Sequence, residues 1–154
     1  MKRSIIVFAT LGMAAIIFSN SCSKSKGNTT NISAHDGNES HNMGQNCMNC
    51  HKQGGQGKGW FNVAGTVYNS SQSATFANAT VKLYTGANGT GTLKYTINGD
   101  AKGNFFTTET IDFGSGLYPA VEGSSGQVSY MPDAITSGQC NSCHGISTSK
   151  IWTK

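Results

Sequence analysis

The chain has 154 residues, of which 36% are hydrophobic, 12% are charged and 20 are glycine. That length suits one domain, and a charged fraction about half the usual ~25% excludes a coiled coil, a helical bundle of ordinary polarity and a charge-rich disordered chain. The formal net charge is +4, but Lys2 and Arg3 lie in a segment expected to be removed, which leaves nine basic residues against seven acidic ones and no basic stripe for nucleic acid.

Lys2 and Arg3 precede an apolar run from Ile5 to Phe18. Such a run is too short to span a bilayer comfortably, but it suits the core of a secretory signal. Small polar residues follow, Ser19-Asn20-Ser21, and then Cys22. This succession resembles a bacterial lipoprotein signal. The resemblance implies a signal peptide over 1–21 and Cys22 as the first mature residue, carrying lipid. It also implies a place in the bacterial cell envelope, periplasmic or at the outer membrane. An ordinary cleaved signal, with Cys22 left as a plain thiol, is the alternative. Acyl chains at about 0.8 kcal/mol per buried methylene would hold a soluble domain firmly on a membrane. Residues 22–46 carry almost no large apolar side chain and read as a flexible tether. His35, His41 and Met43 lie in it, where solvated linker positions are the plain expectation.

The other four cysteines fall in two runs, Cys47-Met48-Asn49-Cys50-His51 and Cys140-Asn141-Ser142-Cys143-His144. Both are C-x-x-C-H, the c-type haem attachment pattern. Two thiols separated by two residues reach both vinyl groups of one porphyrin from a single helical turn. The histidine that follows then points its imidazole at the iron. Composition alone gives such a match roughly 0.004 times per chain, so two are not accidental. A four-cysteine zinc site or two disulfides would explain the paired cysteines but not the histidine after each pair. A thioredoxin-like motif would need a βαβ pattern that neither pair has. On these ten positions the chain resembles exported multihaem c-type cytochromes. The resemblance implies two covalently bound haem c groups, held by Cys47, Cys50, Cys140 and Cys143, with His51 and His144 as proximal iron ligands.

Lys52 to Gly59 is glycine-rich and reads as a hinge. A series of short alternating segments follows: Phe61 to Val67, Ala79 to Leu83, Leu93 to Ile97, Phe105–Phe106, Leu117 to Val121 and Val128 to Met131. Period-two alternation with turn signals such as Asn98-Gly99-Asp100 predicts strands, and strands at this spacing predict a mainly β fold, a small β-sandwich. The runs Ala64-Gly65-Thr66-Val67-Tyr68, Ala79-Thr80-Val81-Lys82-Leu83-Tyr84 and Asp100-Ala101-Lys102-Gly103-Asn104-Phe105 resemble the carboxypeptidase-regulatory-like, transthyretin-type sandwich. Trp60, Phe105, Phe106, Phe113, Tyr118 and Tyr130 are expected in the core or at its edge. Trp60 and Tyr130, nearest the motifs in sequence, are candidates to cover a porphyrin face.

The expected organisation is therefore a first haem-attachment segment at 47–59, the sandwich at 60–131 and a second attachment segment at 132–154, with short helical turns carrying the motifs at both ends. His41 and Met131 are candidate distal iron ligands, Met131 because Met131-Pro132 resembles the distal pair of many small cytochromes c. The expected function is electron transfer by a membrane-anchored dihaem cytochrome, with other redox proteins as partners and no bond made in a substrate. A small dihaem enzyme such as a peroxidase, an oxidoreductase subunit and a haem-bearing docking module are the competing expectations.

Overall fold

The computed structural model describes residues 27–154. The signal over 1–21 and the lipid candidate Cys22 lie outside the described residues. No described helix is long and apolar enough to cross a membrane.

The described chain is mainly β. Eight strands form two four-stranded sheets. They are β1 (Val63–Asn69), β2 (Thr80–Tyr84), β3 (Leu93–Asn98), β4 (Asn104–Thr107), β5 (Tyr118–Glu122), β6 (Val128–Tyr130), β7 (Gly138–Gln139) and β8 (Ile151–Thr153). The second sheet has the order β3-β2-β5-β6, antiparallel throughout. In the first sheet β4 pairs antiparallel with one edge of β1. The other edge of β1 takes two short parallel partners in succession. Val63 and Ala64 pair with Gly138 and Gln139 of β7, and Val67, Tyr68 and Asn69 pair with Ile151, Trp152 and Thr153 of β8.

The core lies between the sheets. Val63, Val67, Val81, Leu83, Ile97, Phe105, Leu117 and Val121 fill it. Alternation in β2, where Val81 and Leu83 are buried and their neighbours are not, follows from one covered face. β1 departs from that pattern, with six consecutive residues buried. Its inner face meets the core, where a Cβ on Gly65 would stand 2.5 Å from Phe105 Cζ. Its outer face is covered by the chain ahead of the first motif, where Gly44 N donates to Thr66 Oγ1 at 2.8 Å.

That covering corrects the expected tether at 22–46. Residues 28–41 are fastened along the sandwich. Ser33 N donates to Phe106 O and Phe106 N donates to Ser33 Oγ, at 2.9 and 2.8 Å, so one serine serves both outward backbone groups of the edge residue Phe106. Asn31 N donates to Thr108 Oγ1, Ala101 N to Gly37 O and Asn104 Nδ2 to Ser40 Oγ, all within 3.0 Å. The segment has few apolar side chains, but hydrogen bonds to a strand edge do not need them.

The sandwich boundary at 131 also moves. β7 and β8 belong to the first sheet, so the sandwich runs to Thr153, which is fully buried. The second motif is an excursion between these two strands and does not follow the last one. Strands of two and three residues are too short to carry a readable alternation.

Candidate functional site

In the first motif a 3-10 turn spans Cys47–Asn49. Asn46 precedes it, and its side chain accepts from Met48 N at 3.1 Å, which satisfies one of the free donors at the start of the turn. Cys50 N and His51 N both donate to Cys47 O, at 3.2 and 2.9 Å. The two thiols and the imidazole therefore leave one compact turn.

The loop that follows grips the imidazole. His51 Nδ1 lies 3.2 Å from both Lys58 O and Gly59 O. The ring of Phe61 stacks on His51 with centroids 4.1 Å apart and an interplanar angle of 7°, and Phe61 in turn stacks on Phe106 at 4.7 Å. Gly57 closes against the same imidazole: a Cβ there would sit 2.5 Å from His51 Cγ and 2.6 Å from Nδ1. The glycine run is thus a holder for His51, not the free hinge its composition suggests.

The second motif repeats the arrangement. A 3-10 turn spans Cys140–Ser142, and Cys143 N and His144 N donate to Cys140 O at 3.3 and 3.0 Å. His144 Nδ1 lies 2.7 Å from Ser149 O, in the loop that leads into β8. At both sites the Nδ1–H tautomer donates to a backbone carbonyl and leaves Nε2 with its lone pair. Metal-bound histidines are oriented in this way.

Each motif opens onto a cavity. The first is a groove of about 890 Å³ on the outer face of the β1–β4 pair, lined by His41, Cys47, Cys50, His51, Phe61 and Phe106 among others. The second is a cleft of about 630 Å³ that reaches the inter-sheet core at Val63, Leu83 and Phe105 and carries Cys140, Cys143, His144 and Met131 on its wall. Both volumes fall in the ~300–1,000 Å³ range of small-molecule and cofactor sites. Two thiols, one free imidazole nitrogen and an adjoining partly apolar cavity are the donors a covalent haem needs, so the residues fit the group.

The four motif cysteines form no disulfide. Cys50 and Cys143 are exposed, whereas Cys47 and Cys140 are partly covered. Burial pushes the Cys140 thiol up to about 12 and raises Cys47 as well, the latter with a further push from Asp100. Among the described residues no three His, Cys, Asp or Glu converge on a metal-ion centre.

The structure brings His41 and Met131 to the two cavities, one to each. The rings of His41 and His51 are 6.0 Å apart. His35 stands outside both cavities, with Nε2 3.5 Å from Thr80 Oγ1, and Met43 is exposed. Tyr130 lines the second cleft, but Trp60 lines neither cavity. Trp152 does line the second cleft, and Phe61 packs on His51. Sequence reasoning missed both roles. Phe61 reads only as an alternating strand residue, and nothing near Trp152 in sequence signals the motif eight residues before it. Comparison of the chain with protein-family models, with characterised proteins and with solved structures gives no match.

Proposed function

We propose that the chain is a dihaem c-type cytochrome, anchored to a membrane of the bacterial cell envelope through Cys22 and transferring electrons between other redox proteins. The observation that carries the reading is the duplicated anchoring of the histidines. In each C-x-x-C-H turn the loop just after the motif offers a carbonyl to Nδ1, at 3.2 Å for His51 and 2.7 Å for His144, and so frees Nε2 for iron.

Cys47 and Cys50 would hold one haem by thioethers, and Cys140 and Cys143 the other. Each bound haem would supply a one-electron iron couple. The chain's own residues do the rest. His51 and His144 would bind the irons through Nε2, and Phe61, Gly57 and the two loops hold their rings. The apolar walls at Phe61 and Phe106, and at Val63, Leu83 and Trp152, exclude water from part of each cavity. Axial ligation and burial then set each potential. For the scaffold, the three runs similar to the transthyretin-type sandwich fall on β1, β2 and the turn into β4.

The test is intact mass together with a pyridine haem assay on the full chain matured in a host that attaches c-type haem. Two covalent haems per chain are expected. A mass showing one haem or none refutes the reading.

A further inference from the structure

We propose that the two centres are ligated differently: His41 is the second axial ligand of the iron held at Cys47, Cys50 and His51, and Met131 is that of the iron held at Cys140, Cys143 and His144. The proposal rests on the dihaem reading and assigns each distal ligand to one site.

The ring centre of His41 lies at the right separation from that of His51. An imidazole nitrogen bonds a metal at about 2 Å and the ring centre lies about 1 Å further out, so two imidazoles on opposite sides of one metal have centres about 6 Å apart. The measured separation is 6.0 Å, with the ring planes at 37°. Both rings line the same groove as Cys47 and Cys50. The approach of His41 is prepared by its backbone. Asn104, itself almost fully buried, donates from Nδ2 to Ser40 Oγ at 2.9 Å and to His41 O at 3.3 Å, and Lys102 Nζ donates to Ser40 O at 2.7 Å. Positive φ at Asn42 and Gly44 then turns the chain back toward Cys47. The segment is held so that it rounds the mouth of the groove from His41 to the motif.

The second cleft has no such histidine. His144 is the one histidine on its wall, and His35 lies elsewhere. The one thioether on that wall is Met131. Its backbone is fixed by Met131 N donating to Pro119 O at 2.9 Å, which extends the β5–β6 pairing by one residue. Imidazole–thioether ligation raises an iron potential relative to bis-imidazole ligation. The second centre would then have the higher potential of the two.

Ferric electron paramagnetic resonance of the full holoprotein tests the assignment. The wild type is expected to show two low-spin haems. His41→Ala should convert half of the haem to high spin, and added imidazole should restore it. Met131→Ala should abolish the methionine–iron charge-transfer band and leave the bis-imidazole signal in place. The proposal is overturned if His41→Ala leaves both haems low-spin, if imidazole does not restore the lost signal, or if the charge-transfer band is absent from the wild type or survives in Met131→Ala. Intact mass is read first on every sample. A chain without covalent haem refutes the functional reading, whereas a fully loaded chain indifferent to His41 refutes this assignment alone.

Discussion

Asn46 and Gln139, 93 positions apart, meet side chain to side chain: Asn46 Nδ2 donates to Gln139 Oε1 at 3.3 Å. Each is the residue immediately before a C-x-x-C-H run. Gln139 also pairs with Ala64 of β1, and Gly44 is bonded to Thr66 two residues further along the same strand. One buried strand therefore mounts both motifs, one from its edge and one from its outer face. Their spacing is as rigid as β1 itself.

Asn46→Ala removes that bridge and the acceptor for Met48 N together. Loss of a capping side chain costs about 1 kcal/mol. The expected outcome is a drop of that order in unfolding free energy, read by chemical denaturation, with both haems retained. A variant as stable as the parent would show that the bridge contributes nothing.

Gly57→Ala is expected to act on the first centre alone. The new methyl would overlap the His51 ring, which is also stacked on Phe61. Forced repacking of this kind costs ~1–3 kcal/mol. Displacement of His51 should appear as a change of spin state in half the haem while the second centre keeps its spectrum. An unaltered spectrum would mean that the loop yields instead of the imidazole.

The haem-free chain should show a graded thiol reactivity. Only the thiolate reacts, and burial holds the Cys140 thiol neutral to about pH 12. Alkylation at pH 8, followed by peptide mass mapping, should label Cys50 and Cys143 well before Cys140. The sign for stability follows. The folded-state value lies above the unfolded one, so the contribution of Cys140 is complete below about pH 9 and is lost as pH rises toward 12. Equal labelling of all four thiols in the folded chain would contradict the burial.

Cys22→Ala is expected to move the protein from the membrane fraction to the soluble one, with haem content unchanged. Fractionation followed by haem staining checks it. A variant that stays with the membrane would place the anchor elsewhere.

The five strands from Val63 to Glu122 were legible because each turns at least one side chain to one core, and alternation survives in side chains such as Val81 and Leu83. β7 and β8 were not, because a pair such as Gly138–Gln139 has no period to read. The course of residues 28–41 was hidden for another reason. Hydropathy records what a side chain avoids, while Ser33, Asn31 and Ser40 are placed by what they bond. At the candidate site the ten motif residues are legible because attachment chemistry is local, within one turn. The holders of the imidazoles are backbone carbonyls at Lys58, Gly59 and Ser149, and a carbonyl leaves no mark on residue identity. The pairing of His41 with the first groove and Met131 with the second depends on how the sheets stack, which no local pattern encodes.

The parallel pairing of β8 with β1 sets an order of events. Trp152 and Thr153 sit beside Tyr68 and Asn69, so that edge of β1 finds its partner only when residues 151–153 have arrived. In a polypeptide delivered amino end first, β1 waits with that edge open for more than eighty residues. Contacts so distant in sequence form late, because loop closure must be paid before they reward it. Residues 140–144 therefore emerge before that edge of β1 is closed.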